Sequence, residues 1–357
     1  ESDESTVEIE MHIGNARSSY QADEVIWKRP AHKGAMLLII LSLLILPFWI
    51  GPYHLMLMSQ LGIFVIAIAG LNILTGYTGL ISLGQGAFMG IGAYTTAVLA
   101  TGYGFPPWAT FPLSIIITAL IGIGFGLPSL RVRGLYLTIA TLAANVIIVF
   151  AIRKLEWLTN GDRGINIEPA VLFGVSIESE LEKYFVIAPL ALLFVLFSQN
   201  LFRTKIGRAF IAIREQDYSA EIMGISLIRY KLTAFAIGSA YAGAAGSLWA
   251  YFFTALTPNQ FNLSQSILFL AALIIGGMGT TLGPLFGAVF VILVPETLRA
   301  IAGLITPYYP LALQATAPIT EIIYGLLIIG FLIFEPMGLS AIWARIWRYI
   351  DRWPFTR

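Results

Sequence analysis

Apolar residues fill this chain in long blocks, and short polar or glycine-proline stretches punctuate them. Blocks at about 34–50, 54–74, 76–101, 108–127, 135–152, 184–202, 232–253, 263–275, 285–304 and 319–334 mostly reach or approach the ~20 residues that carry an α-helix across a bilayer. The pattern predicts an all-α polytopic membrane protein with about ten transmembrane helices. One block is unlike the others. Gly76, Gly79, Gly84, Gly86, Gly90 and Gly92 crowd its first half, where each glycine weakens a regular helix by about 1 kcal/mol relative to alanine. Two readings fit. The small residues let helices pack closely, or the segment is a broken or re-entrant helix beside a translocation path. On the second reading Gly79, Ser82, Gly84 and Gln85 line that path.

A charged island separates two blocks, from Arg203 to Lys231. Its apolar residues keep a helical beat, Ile206, Phe210 and Ile213, then Tyr218, Ile222 and Ile225, with one slip between the sets. This predicts two short amphipathic helices lying apolar face down on a membrane surface. Gly207 suits a helix start and Gly224 a helix stop. Such a pair is either an ordinary surface loop or a rigid knob that a soluble partner can push.

Charge distribution orients the spans. Trp27, Lys28, Arg29 and Lys33 precede the first block, and Arg131 and Arg133 mark the turn after the fourth. Arg345, Arg348, Arg352 and Arg357 close the chain, with Trp343, Trp347 and Trp353. Ten spans starting inside place all these groups and the 203–231 island in the cytoplasm. They place the mixed-sign loop 153–183 outside. The expected layout is a polar cytoplasmic tail over 1–33, a transmembrane domain over 34–342 and a basic cytoplasmic tail over 343–357. Residues 1–24 have no basic region ahead of an apolar core, so they read as a solvated tail and not as a cleavable signal.

Composition narrows the chemistry. Hydrophobic residues make up 57% of the 357 positions and charged residues 11%, against about a quarter charged in soluble domains. A net charge of +1 with no basic arm gives no sign of nucleic-acid binding. There is no cysteine, and His12, His32 and His54 lie far apart, so neither a thiolate nor a histidine metal site is expected. No catalytic constellation and no P-loop is present. Glu296 and Glu321 are the carboxylates placed within spans, which makes them functional candidates. Glu296 also stands at helical spacing from Arg299. Among the span polars, Gln60, Asn72, Gln85, Asn145 and Gln265 suit interhelical hydrogen bonds, with Asn145 and Glu321 also candidates for the translocation path.

Three stretches together carry a family resemblance. Gly76-Tyr-Thr-Gly79-Leu-Ile-Ser82-Leu-Gly84-Gln85-Gly86-Ala-Phe88, with Gly92-Ala-Tyr94, resembles the signature of the membrane subunits of branched-chain amino acid ABC importers. Gly207-Arg208-Ala with Arg214 and Ala220-Glu221-Ile-Met-Gly224 resembles their ATPase-docking loop. Gly276-Gly277-Met-Gly279-Thr, Leu282-Gly283-Pro284, Tyr324-Gly325 and Glu335-Pro336-Met-Gly338-Leu complete the match, over about residues 34–342. The loop Thr159-Asn-Gly161-Asp-Arg-Gly164 is similar to that of the longer permease type. Gln85 stands where many relatives have histidine.

The resemblance implies a permease in a bacterial cytoplasmic (inner) membrane that hydrolyses nothing and binds no cofactor itself. Its implied partners are a second related permease, two cytoplasmic ABC ATPases carrying ATP-Mg, and a periplasmic or lipid-anchored binding protein. Gly207, Arg208, Arg214, Asp217, Ala220, Glu221 and Gly224 become the implied ATPase-coupling residues. Leucine, isoleucine and valine are the implied cargo; urea, short amides and aromatic acids are the alternatives within the family. A self-sufficient secondary transporter coupled through Glu296 or Glu321 is the alternative outside it.

Overall fold

A computed structural model describes residues 45–132, 134–172, 174–305, 316–334 and 337–351. The chain falls into two compact units that divide between Trp49 and Ile50. Of the first unit only residues 45–49 are described, a short turn around Leu46–Phe48. The expected span at 34–50 and the polar tail fall almost wholly outside the described residues.

The second unit is built from helices. They are α1 (Pro52–Leu71), α2 (Gln85–Tyr103), α3 (Pro107–Gly126), α4 (Leu135–Lys154), α5 (Glu180–Arg203), α6 (Lys205–Glu215), α7 (Asp217–Ile222), α8 (Leu227–Phe253), α9 (Leu263–Gly276), α10 (Gly283–Ile305), α11 (Thr316–Phe334) and α12 (Gly338–Asp351). Local sequence sets the boundaries. Proline occupies the first turn of α1 and α3, where its missing N–H costs nothing. Ser179 and Glu182 close a capping box on α5. Gly104, at φ +65, ends α2.

Among the described residues, six helical stretches are long and apolar enough to cross a membrane: Pro52–Tyr77, Pro107–Leu130, Leu135–Lys154, Glu180–Arg203, Pro258–Gly276 and Gly283–Leu304. The sequence led to an expectation of about ten. Helices α2 and α8, of 19 and 27 residues, have the length and fall short in apolarity. Their surroundings explain this. α8 is the central helix, packed against α1, α2 and α3, and residues 241–250 are buried without a break. A helix sheathed by other helices has no hydrocarbon to match, so it can be made of glycine, alanine, serine and threonine.

Those small residues form the tightest contacts of the bundle. The Ser114 hydroxyl lies within hydrogen-bonding distance of the Gly92 carbonyl at 3.0 Å and the Gly243 carbonyl at 3.1 Å. Thr96 donates to Ser247 at 2.7 Å. Gly92 and Gly243 let α2 and α8 approach so closely that a Cβ on Gly92 would stand 2.6 Å from the Gly243 Cα. The face of α8 containing Gly243, Ala244 and Ser247 is the one its sequence marks for close packing.

Between α4 and α5, residues 155–179 are folded and not a plain loop. Strand β1 (Ile165–Asn166) pairs antiparallel with β4 (Ala255–Leu256), and β2 (Val171–Leu172) pairs with β3 (Val175–Ser176). Arg153 ties the segment down, donating to Asn259 at 2.6 Å and lying 3.5 Å from Asp162. Helices α6 and α7 lie at the opposite ends of α5 and α8. The amphipathic helix α12 packs on α9 and α10, and its second part runs into the stretch expected as the basic tail, 343–357.

Candidate functional site

The glycine-rich block divides in two. Helix α1 continues through a π-helical turn, Asn72–Tyr77, and the helical pattern then stops over residues 78–84. Buried polar backbone needs partners, and side chains supply them here. Thr78 donates to the Ile73 carbonyl at 2.8 Å and Thr75 to the Leu80 carbonyl at 3.1 Å. The Leu83 N–H donates to Thr141 at 3.0 Å and the Gly84 N–H to Ser82 at 3.2 Å. Regular helix resumes at Gln85. From there Gly86, Gly90 and Gly92 serve close packing against Ser266, Phe261 and Gly243. The break lies in the first part of the block and the tight contacts in the second.

Of the expected translocation residues whose side chains are described, all but Gly79 are buried within the chain. Gln85 donates through Nε2 to the Ala67 carbonyl at 2.7 Å, joining the start of α2 to α1. Asn145 donates to Ser266 Oγ at 2.9 Å, and the same oxygen accepts the Gly86 N–H at 2.9 Å. Ser82 and Gly84 are buried in the break. Gly79 is exposed at φ +73 and lies against Arg214, away from the others. Glu321 belongs to α11, and its side chain is outside the described atoms.

The island folds into the two expected helices, α6 and α7. Thr204 caps α6 by accepting the Gly207 N–H, so Gly207 is the third helical residue and not the helix start. Its lack of a side chain serves contact with the Phe202 backbone. Gly224 takes φ +85 just past Met223, the C-cap of α7, as a stop residue should. Phe210 and Ile213 are buried against the chain itself, with Ile206 packed beside them. Of the second apolar set, Tyr218 and Ile222 are 67% and 71% exposed and Ile225 is half-buried. Met223, beside them, is 82% exposed. Arg208 and Glu221 are exposed with them, and Ala220 is buried.

Two cations pin this helix pair to the bundle. Arg214 donates to the Gly76 carbonyl at 2.8 Å. Lys231, 4% exposed, lies 2.7 Å from Asp217 at the first turn of α7. Asp217 is therefore an internal anchor. Beside Gly76, the Asn72 amide donates to the Thr280 carbonyl at 2.8 Å and accepts the Gly279 N–H at 2.9 Å. Gly279, at φ +72, packs against Arg214 and Gly76, where a Cβ would stand 2.5 Å from the Arg214 guanidinium. Gly277 packs in turn on Ser340 of α12. The island, the helix break and the glycine turn between α9 and α10 thus meet at one knot. Sequence reading treated Asn72 as one interhelical polar among several; its place one turn before Gly76 was the available signal.

Among the described residues no group of three or more acidic or histidine side chains is placed to hold a metal ion. The fold and the knot define a multi-pass α-helical membrane protein with an interrupted helix tied to a surface helix pair. Residues 53–332 match the family model described as "Branched-chain amino acid transport system / permease component". The chain belongs to that family. It is 33% identical over 290 residues to the high-affinity branched-chain amino acid transport system permease protein LivM of Salmonella typhimurium. That match covers 73% of this chain and 68% of the relative. The LivM protein of Escherichia coli is 32% identical with the same coverage. The probable permease LivH of Methanocaldococcus jannaschii is 26% identical over 80% of this chain and 91% of its own length. No solved structure gives a significant match.

Proposed function

We propose that this chain forms half of the membrane pore of an ATP-driven importer that moves branched-chain amino acids delivered by an external binding protein. In this reading α1 to α5 and α8 to α11 span the membrane. With the block at 34–50 that makes ten spans and puts both termini in the cytoplasm of a bacterial inner membrane. A second, related permease completes the pore. Two ABC ATPases with ATP-Mg sit below it, and the binding protein docks on the folded 155–179 segment. Energy enters through α6 and α7.

One observation carries the reading. A surface helix pair is held from behind by Arg214 and Lys231 and presents Tyr218, Ile222 and Met223 outward, largely uncovered by the described residues. A loop needs neither the pins nor the apolar front. A docking knob needs both, because a push is transmitted only through a stiff element. Glu296, one of the two acids that an ion-driven transporter could use, lies 3.8 Å from Arg299 and accepts the Tyr53 hydroxyl at 2.6 Å, so its geometry already has a structural use.

Copurification tests the proposal. The tagged chain should carry an ATPase and a second permease from its native membrane, and the pair should take up leucine only with ATP and binding protein. Uptake by the chain alone, driven by an ion gradient, would overturn it.

A further inference from the structure

Helix α10 carries a proline, an acid and a base in its middle: Pro295, Glu296 and Arg299. Pro295 has no N–H to give the carbonyl four residues earlier. The Tyr324 hydroxyl of α11 donates to that carbonyl, Val291 O, at 2.7 Å. The helix is thus interrupted and repaired from outside. A cavity of about 680 Å³ opens beside the interruption, lined among others by Asn259, Asn262, Gln265, Arg299, Tyr324 and Ile328. That size is in the range of small-molecule sites, roughly 300–1,000 Å³. Arg299 is 62% exposed and 3.8 Å from Glu296. A guanidinium in a membrane span is costly unless it faces water or protein, and such residues mark substrate routes.

We infer that this cavity is a transit site for a zwitterionic aliphatic amino acid, with Arg299 receiving its carboxylate. This rests on the reading of the chain as an importer permease. The guanidinium offers the paired donors a carboxylate requires. The Ser264 hydroxyl and the Gln265 side-chain amide oxygen are acceptors of the type an ammonium requires, while the Asn259 oxygen already accepts from Arg153. Leu268, Ala271 and Ile328 give an apolar wall for the side chain. Only part of the lining is polar, which suits a passing solute better than a tightly held one.

The chain has no cysteine, so single cysteines report cleanly. Gln265→Cys and Ile328→Cys are introduced separately into the full chain in membrane vesicles, and each is labelled with a charged, membrane-impermeant thiol reagent. Labelling of both is expected. Leucine should slow it, while isoamylamine, the same molecule without the carboxylate, should not. Adding Arg299→Gln should raise the leucine concentration for half-protection about tenfold, each variant being referred to its own unprotected labelling rate, with Arg299→Lys between them. Absence of labelling at both positions, absence of protection by leucine, or protection that ignores Arg299 would each overturn the inference. None of these readouts uses ATP or uptake. Loss of ATP-dependent uptake in the intact assembly would count against the importer reading instead.

Discussion

Arg214 and Gly76 are 138 residues apart in the chain and joined by one hydrogen bond of 2.8 Å, from the guanidinium of a surface helix to a carbonyl in the π-helical turn that ends α1. Charge meets the backbone where the helix has been opened and its carbonyls are available. The same turn gives Asn72, whose amide holds the glycine turn before α10. Helix α6 is thus hydrogen-bonded directly to the turn that ends α1, and that turn through Asn72 to the glycine turn before α10.

Substituting Arg214 should separate hydrolysis from transport. Arg214→Gln removes the charge-assisted bond, a class worth about 1.5–3 kcal/mol, here toward the lower end because the side chain is 41% exposed. The variant should insert and keep its ATPases. Leucine carried per ATP hydrolysed should fall several-fold in reconstituted vesicles. An unchanged ratio would show that the contact transmits nothing.

The ion pair of Lys231 and Asp217 should behave as a structural anchor. Removing one member of a buried pair costs about 3–5 kcal/mol, because the other charge remains buried without compensation. Asp217→Ala leaves the ammonium of Lys231, 4% exposed, in that position. The melting temperature of the solubilised protein should drop clearly. Adding Lys231→Met to the same protein should recover much of the loss, since an apolar chain of similar length fits the site.

The sequence told much about this fold, unevenly. The boundaries of α1, α3 and α4 follow from apolar runs with proline or glycine at an end, and α5 begins four residues ahead of its apolar run at a serine–glutamate capping box. Glycine density leaves a helix break and close packing as alternatives for residues 76–101, and the structure has a break at 78–84 with close packing after it. Apolarity alone describes α2 and α8 poorly, because their neighbours are protein and their glycines answer to contact with one another. A helical beat says which residues share a face, and only the pins at Arg214 and Lys231 decide which way that face turns. Asn145 and Gln85, candidates for the path by residue type, are bonded to Ser266 and Ala67 in the packed interior.

Glycines divide by what surrounds them. Gly246→Ala would drive a methyl group into the Met89 carbonyl on α2, and Gly92→Ala would drive one into the Gly243 backbone. Backbone cannot yield as a side chain can, so each should cost about 1–3 kcal/mol or more and lower the yield of folded protein. Gly124→Ala, in α3 with open space around it, should be neutral or gain about 0.5–1 kcal/mol from helix propensity. Thermal melts of the three variants side by side check the contrast.

The exposed front of α7 should bind and not stabilise. Tyr218, Ile222 and Met223 touch little of this chain, so Tyr218→Ala and Met223→Asp should leave the melting temperature within about 1 °C, as expected of exposed positions away from packing. Met223→Asp should nevertheless expel the ATPase, because a carboxylate buried in an apolar groove without a partner is costly. Glu221→Ala, on the exposed side of the same helix, should weaken association to a lesser degree, since a charge at the rim of an interface adds less than an apolar anchor at its centre. Pull-down of the ATPase with each variant, at matched expression, ranks the three. If Met223→Asp retains the ATPase as the unaltered chain does, the docking face is not α7.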